Sequence, residues 1–205
     1  MNTSDTSLSY LFDERIAANV AAAFLRLADG ELNILKLMKL MYLAERKSYE
    51  QYAEPMIGDR LVAMPRGPVL SMTYECVNSG GSFVEGGWDE WISDRADHIV
   101  SLKKEVESIE KLPMLSAEQV DLIQQTWQRF GHLDRFQIVD YTHDPRNCPE
   151  WTDPSGSSFD ISLSKLFQHL GFSTQKTSSA LADLYEQAKI KQAFSQAEQI
   201  SAHAA

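Results

Sequence analysis

The side chains in this sequence best suited to chemistry are its histidines, its cysteines and the carboxylates beside them. His143 and Cys148 lie five residues apart, with Asp144 between them. Imidazole and thiolate are zinc ligands, but a zinc site takes four such groups, or three and a water. Cys76 and His132 would complete the set only if the fold brought them close. The favoured alternative is a loop histidine and two buried thiols, because free cysteine is among the most buried residue types. His143 could also serve as a general base, with Asp140 or Asp144 orienting its ring. No obvious nucleophile or oxyanion donor accompanies it, so a histidine that pins a loop by hydrogen bonds is the preferred reading. Neither a G-x-x-x-x-G-K-[ST] phosphate loop nor a G-x-S-x-G nucleophile elbow occurs. Gly80, Gly81, Gly86 and Gly87 have no lysine beside them. The sequence thus predicts a non-enzyme with no catalytic residue, cofactor or metal.

Nucleic acid is disfavoured as a partner. The net charge is -10, and affinity for phosphates comes from Lys and Arg. The best local basic cluster is Lys36, Lys39, Arg46 and Lys47. It is interleaved with leucines and methionines and reads as a solvated helix face. Helices over 116–130 and 133–141, joined by Gly131–His132, have roughly a helix-turn-helix shape. Only Arg135 and Gln137 could read bases there, against Asp134 and Asp140, so structural packing is preferred. An acidic protein instead suits a basic protein partner, through complementary steering. Of Trp88, Trp91, Trp127 and Trp151, the last stands out, because its loop is polar and rich in proline.

These residues are positioned by a mostly helical chain. Asp13 to Ala28 has helical apolar spacing, with Gly30 as its stop. Asn33 can cap a strong helix over Ile34 to Tyr52, which Pro55 ends. Leu61 to Met64 reads as a short strand, and Pro68 suits the first turn of a helix from Val69 to Asn78. Ser79 to Gly87 reads as a loop. Trp88 to Ser93 and His98 to Leu102 read as strands joined by the turn Asp94–Asp97; with Leu61–Met64 they would make a three-stranded sheet. Ser116 and Gln119 form a capping box for a helix to Phe130. A helix over Leu133 to Tyr141, a loop from His143 to Ser158, and helices over Ile161 to Leu170 and Thr174 to about Ile200 follow.

The predicted class is mainly α (α+β): a helical bundle-like domain with a small three-stranded antiparallel β element. Residues 1–9 read as a flexible start, 10–172 as the domain, and 173–205 as a C-terminal helix and flexible tail. A chain of 205 residues with 43% hydrophobic and 23% charged residues can build a core without staples. Two cysteines are too few for a disulfide framework and fit a reducing cytoplasm. Asp5, Asp13 and Glu14 come before any lysine, the reverse of a signal peptide. The apolar segment Ala17–Leu25 is far short of the ~20 residues that span a bilayer, so a soluble, cytoplasmic protein without membrane contact is expected.

A set of ordered blocks completes the reading. Leu35-Lys36-Leu37-Met38-Lys39-Leu40-Met41-Tyr42-Leu43-Ala44 is followed by Glu54-Pro55-Met56, by Met64-Pro65-Arg66-Gly67-Pro68-Val69 and by Tyr74. Further on, Leu133 to His143 closes in Tyr141-Thr142-His143, with Trp151 beyond. Taken in order over residues 15–155, this resembles the SocA-like antitoxins of the Panacea family. Met64 replaces the family's usual aromatic, Pro65 precedes Arg66, and Asp144–Glu150 lengthens the gap between His143 and Trp151. The resemblance implies an antitoxin that binds a cognate toxin, usually encoded beside it. It also leaves open an adaptor role with a protease as partner, and a homo-oligomer. Its signature residues here, for partner contact or fold maintenance, are Arg66, Gly67, Pro68, Val69, Tyr74, Thr142, His143 and Trp151.

Overall fold

The computed structural model describes residues 8–79, 84–93 and 96–203. The expected loop over 80–83, part of the expected turn at 94–97 and the ends of the chain lie outside the described residues.

Asp13 accepts from the Arg15 N–H and opens helix α1 (Glu14–Leu27), whose residues Ala17 to Leu25 are all buried. Small alanines let neighbours approach α1 closely. The chain turns back through Asp29 (φ 58°) and Gly30 (φ 106°), where the Gly30 N–H donates to the Leu25 carbonyl at 2.8 Å. Strand β1 (Glu31–Asn33) follows, and the Asn33 side chain accepts from the Leu35 N–H to start helix α2 (Ile34–Tyr52). Every residue from Leu37 to Glu45 is buried, so α2 is the central rod of the molecule. It packs on α1, on Gly67–Leu70 and on the helices Ala117–Phe130 and Arg135–His143.

Strands β2 (Leu61–Met64) and β3 (Gly67–Leu70) form an antiparallel hairpin, with Met64 opposite Gly67 and Ala63 opposite Pro68. The turn is Pro65–Arg66, and Gly67 after it takes a positive φ of 95°, a conformation that favours glycine. Pro68 is therefore a strand residue. The helix expected from Val69 starts instead at Ser71 as α3 (Ser71–Ser79). Pro68 is tolerated because β3 lies at the edge of its sheet, where the missing N–H breaks no ladder.

The three-stranded sheet exists, but with other members. β5 (Phe159–Asp160), between the expected loop to Ser158 and the helix expected from Ile161, pairs with β2. Trp88 to Trp91 forms a short helix, α4, whose Trp88 N–H donates to buried Glu14 at 2.8 Å. β4 (Ile99–Ser101) pairs with β1 in a separate two-stranded sheet. Residues of both strands fell in segments without clean apolar alternation, so only the tertiary fold decides their partners.

Helix α5 (Ala117–Phe130) carries the expected Ser116–Gln119 capping box. Helix α6 (Arg135–His143) starts and ends two residues later than expected, because Asp134 and Gln137 form a second capping box. His143 thus closes a helix rather than opening a loop. Helices α7 (Leu163–His169) and α8 (Thr174–His203) complete the chain. Among the described residues, no helix is long and apolar enough to cross a membrane.

Candidate partner-binding groove

Leu35, Lys39, Tyr42 and Arg46 succeed one another at helical spacing and share a face of α2. Lys39 has 0% of its surface exposed, and its Nζ donates to the Pro68 carbonyl at 2.7 Å. Burial pulls its ammonium down from the ordinary lysine range to about 7. The bond ties the edge strand of the hairpin to the central rod. Gly67 is the point of closest approach: a Cβ there would stand 2.9 Å from Lys39 Nζ, 2.9 Å from Thr142 Oγ1 and 3.2 Å from His143 Cδ2. Glycine meets both demands, close contact and positive φ.

The end of α6 packs against this point. Buried Thr142 donates from Oγ1 to the Val139 carbonyl at 3.0 Å. The His143 ring stacks on Trp151 at 4.1 Å and 2°, and Trp151 Nε1 donates to the Met64 carbonyl at 3.1 Å. The tryptophan thereby clamps the histidine to the hairpin. His143 Nε2 is buried without a hydrogen-bond partner. Burial, and then the Lys39 ammonium, hold the His143 pKa below the ordinary histidine value, while the Arg66 carbonyl works the other way.

The segment Asp144–Glu150 is anchored rather than loose. Buried Glu150 accepts from Tyr42 Oη at 2.7 Å and from Arg46 Nε at 2.7 Å. Asp144 is drawn off by Arg146, which holds its carboxyl at about 2. Burial, and then Glu150, push the Cys148 thiol up to about 12, while burial and then Glu14 do the same to Cys76. Both are protonated, inert thiols near neutrality. No group of three or more His, Cys, Asp and Glu among the described residues is arranged to hold a metal ion.

The basic cluster is not a solvated face. Lys39 is inside the protein, and Arg46 is held by Glu150. Lys36 donates to the Gly131 carbonyl at 2.7 Å and lies 5.4 Å over the Trp127 ring. Gln137 is committed to its capping box and accepts from the Asp134 N–H at 2.9 Å.

In front of Lys39 opens a groove of about 660 Å³ between the start of α2, the hairpin tip and the start of α6. Arg66, Gly67, Val69 and Tyr74 line it directly. Pro68, Thr142, His143 and Trp151 stand behind and hold the hairpin in place. Arg66 stands exposed at the tip, with no side-chain hydrogen bond or ion pair among the described residues. Phe136 on the facing rim is 61% exposed, and the Arg135 guanidinium lies 4.7 Å from its ring centroid.

Residues 37–152 match the family described as antitoxin SocA-like, Panacea domain. The chain belongs to that family. The matched part of this Panacea chain runs from within α2 to just beyond Trp151 and contains every signature residue named above. Membership points to an antitoxin role, with a toxin as partner. The comparisons with curated proteins and with solved structures gave no match.

Sequence reasoning missed Phe136, the inward role of Lys39, and the Tyr42–Arg46–Glu150 network. The signal for Lys39 was its register: it shares a helix face with Leu35 and Tyr42, both among apolar neighbours. Nothing local marked Glu150, whose partners lie 104 and 108 residues away.

Proposed function

We propose that this protein neutralises a cognate toxin by direct protein–protein binding through the groove between α2, the β2–β3 hairpin and α6. The observation that supports it is the uncovered groove itself. Its wall is built from the residues that carry the family signature, and its rim offers an exposed phenylalanine and two arginines. Aromatic and arginine side chains dominate binding energy at protein interfaces. The remaining signature residues act from behind, fixing the hairpin against α2 and α6.

The test is co-expression with the chain that co-purifies in stoichiometric amount and is toxic alone. Wild-type protein should restore growth and bind that toxin tightly. Phe136→Ala combined with Arg66→Ala should lose both, while its melting temperature stays within a few degrees, since exposed substitutions change stability by about 0.5 kcal/mol or less. Rescue by the double variant at wild-type level would remove the groove from the interface. A toxin half-life that falls sharply when the protein is present would favour delivery to a protease. Salt-sensitive binding to its own promoter DNA would favour a regulator.

A further inference from the structure

The charge of the groove is opposite to that of the chain. The protein carries -10, yet among the described residues those lining the groove include Lys39, Arg66 and Arg135 and not one aspartate or glutamate. Arg66 and Arg135 are exposed, and neither forms an ion pair among the described residues. Asp134, the residue before Arg135, accepts the Phe136 and Gln137 N–H groups at 2.7 and 2.9 Å and caps α6, while its charge still acts on Arg135. On the floor, the Lys39 ammonium has three donors, one of which meets the Pro68 carbonyl at 2.7 Å. Between these cations the walls are apolar, with Leu35, Met38, Met64 and Val139 beside Phe136.

We infer that the groove takes a segment of the toxin that presents a carboxylate beside an apolar side chain. This rests on the direct-binding reading above and deepens it. The apolar side chain fills the methionine-lined part, and flexible methionines adapt to its shape. The carboxylate is met by the planar guanidinium of Arg66 or Arg135, which offers paired donors that match its oxygens. A volume of about 660 Å³ suits a few side chains of one segment rather than a folded domain. The net negative charge of the chain disfavours acidic segments in general, so a local set of cations favours such a segment at this place. The whole-chain charge, which suggests a basic partner, is thus the wrong guide to the contact itself.

The experiment uses the complex of full-length protein with the toxin identified by co-purification. A photo-reactive phenylalanine is placed at position 136, and as a control at position 194 on α8. Cross-linking through position 136 should capture a toxin peptide that holds an aspartate or glutamate next to an apolar residue. Changing that carboxylate to lysine should weaken binding at least ~10-fold, and Arg66→Glu with Arg135→Glu should restore affinity for the changed toxin. The same double reversal should weaken binding of the unchanged toxin while the protein melts as before. If the complex forms but is indifferent to these reversals, or cross-links only through position 194, the inference is overturned and direct binding stands. If no complex forms with a toxin that the protein nevertheless counteracts, direct binding itself fails. Saturable binding of a short DNA duplex that the double reversal abolishes would also overturn it, by assigning the cations to phosphates.

Discussion

A methyl group at Gly67 would press on Lys39, Thr142 and His143 and would have to hold φ near 95°. Gly67→Ala should therefore cost about 1–3 kcal/mol in urea denaturation, the usual range for a strained backbone position. Glu150 is expected to behave as the fixed half of a buried pair. Glu150→Ala leaves Tyr42 and Arg46 without their acceptor and should destabilise by about 3–5 kcal/mol. Lys39 and Glu45 should give stability opposite slopes with pH. Lys39 binds its proton less tightly when folded, with a pKa of about 7. From about pH 7 up to the ordinary lysine range the unfolded chain holds that proton and the folded chain does not, so stability rises with pH. Glu45 is raised to about 7 by burial, against the pull of three N–H donors from Met56, Ile57 and Gly58. From the ordinary glutamate range up to about pH 7 the folded chain holds the extra proton, so stability falls as pH rises. Unfolding free energies across this range should flatten above neutrality in Lys39→Met. They should flatten below neutrality in Glu45→Gln.

Helix α6 has two ends with different duties. Its first turn carries Arg135 and Phe136 into the groove, held by the Asp134–Gln137 capping box. Its last turn carries Thr142 and His143 against Gly67. Asp134→Ala should unseat the first turn and weaken toxin binding. Ser116→Ala on α5 removes a comparable cap and should cost about 1 kcal/mol of stability with toxin affinity unchanged. Calorimetric titration of both variants separates the two roles: equal losses of affinity would show that α6 has no special part in binding. The two boxes also show what sequence reading captures. Ser116 and Gln119 open a long amphipathic helix and are plain in the sequence. Asp134 and Gln137 open a short helix with no clear apolar face, so the sequence places the start of α6 two residues early.

Across the whole molecule, packing thins toward the end of the chain. On α8, Leu184 and Ala188 are buried, while Ile190 is 50% and Phe194 68% exposed. Lys191 still donates to the Leu11 carbonyl at 3.0 Å. A chain ended after Lys191 should therefore melt within about 2 °C of the full chain by circular dichroism, since little apolar surface is lost. A much lower melting temperature would show that the outer part of α8 packs on the body.

The sequence by itself determined the helices with strong apolar periodicity, their caps at Asn33 and Ser116, the β2 strand and the family, because these depend on residues close in the chain. It also singled out the eight signature residues, all of which meet around one hairpin. Tertiary structure alone decided how they meet. The partners of β1, β4 and β5, the strand rather than helical state of Pro68, the burial of Lys39 and the anchoring of Glu150 are set by contacts between distant segments. A short strand or a lone charge has no preference strong enough to announce its place; its energy comes from the surface against which it packs.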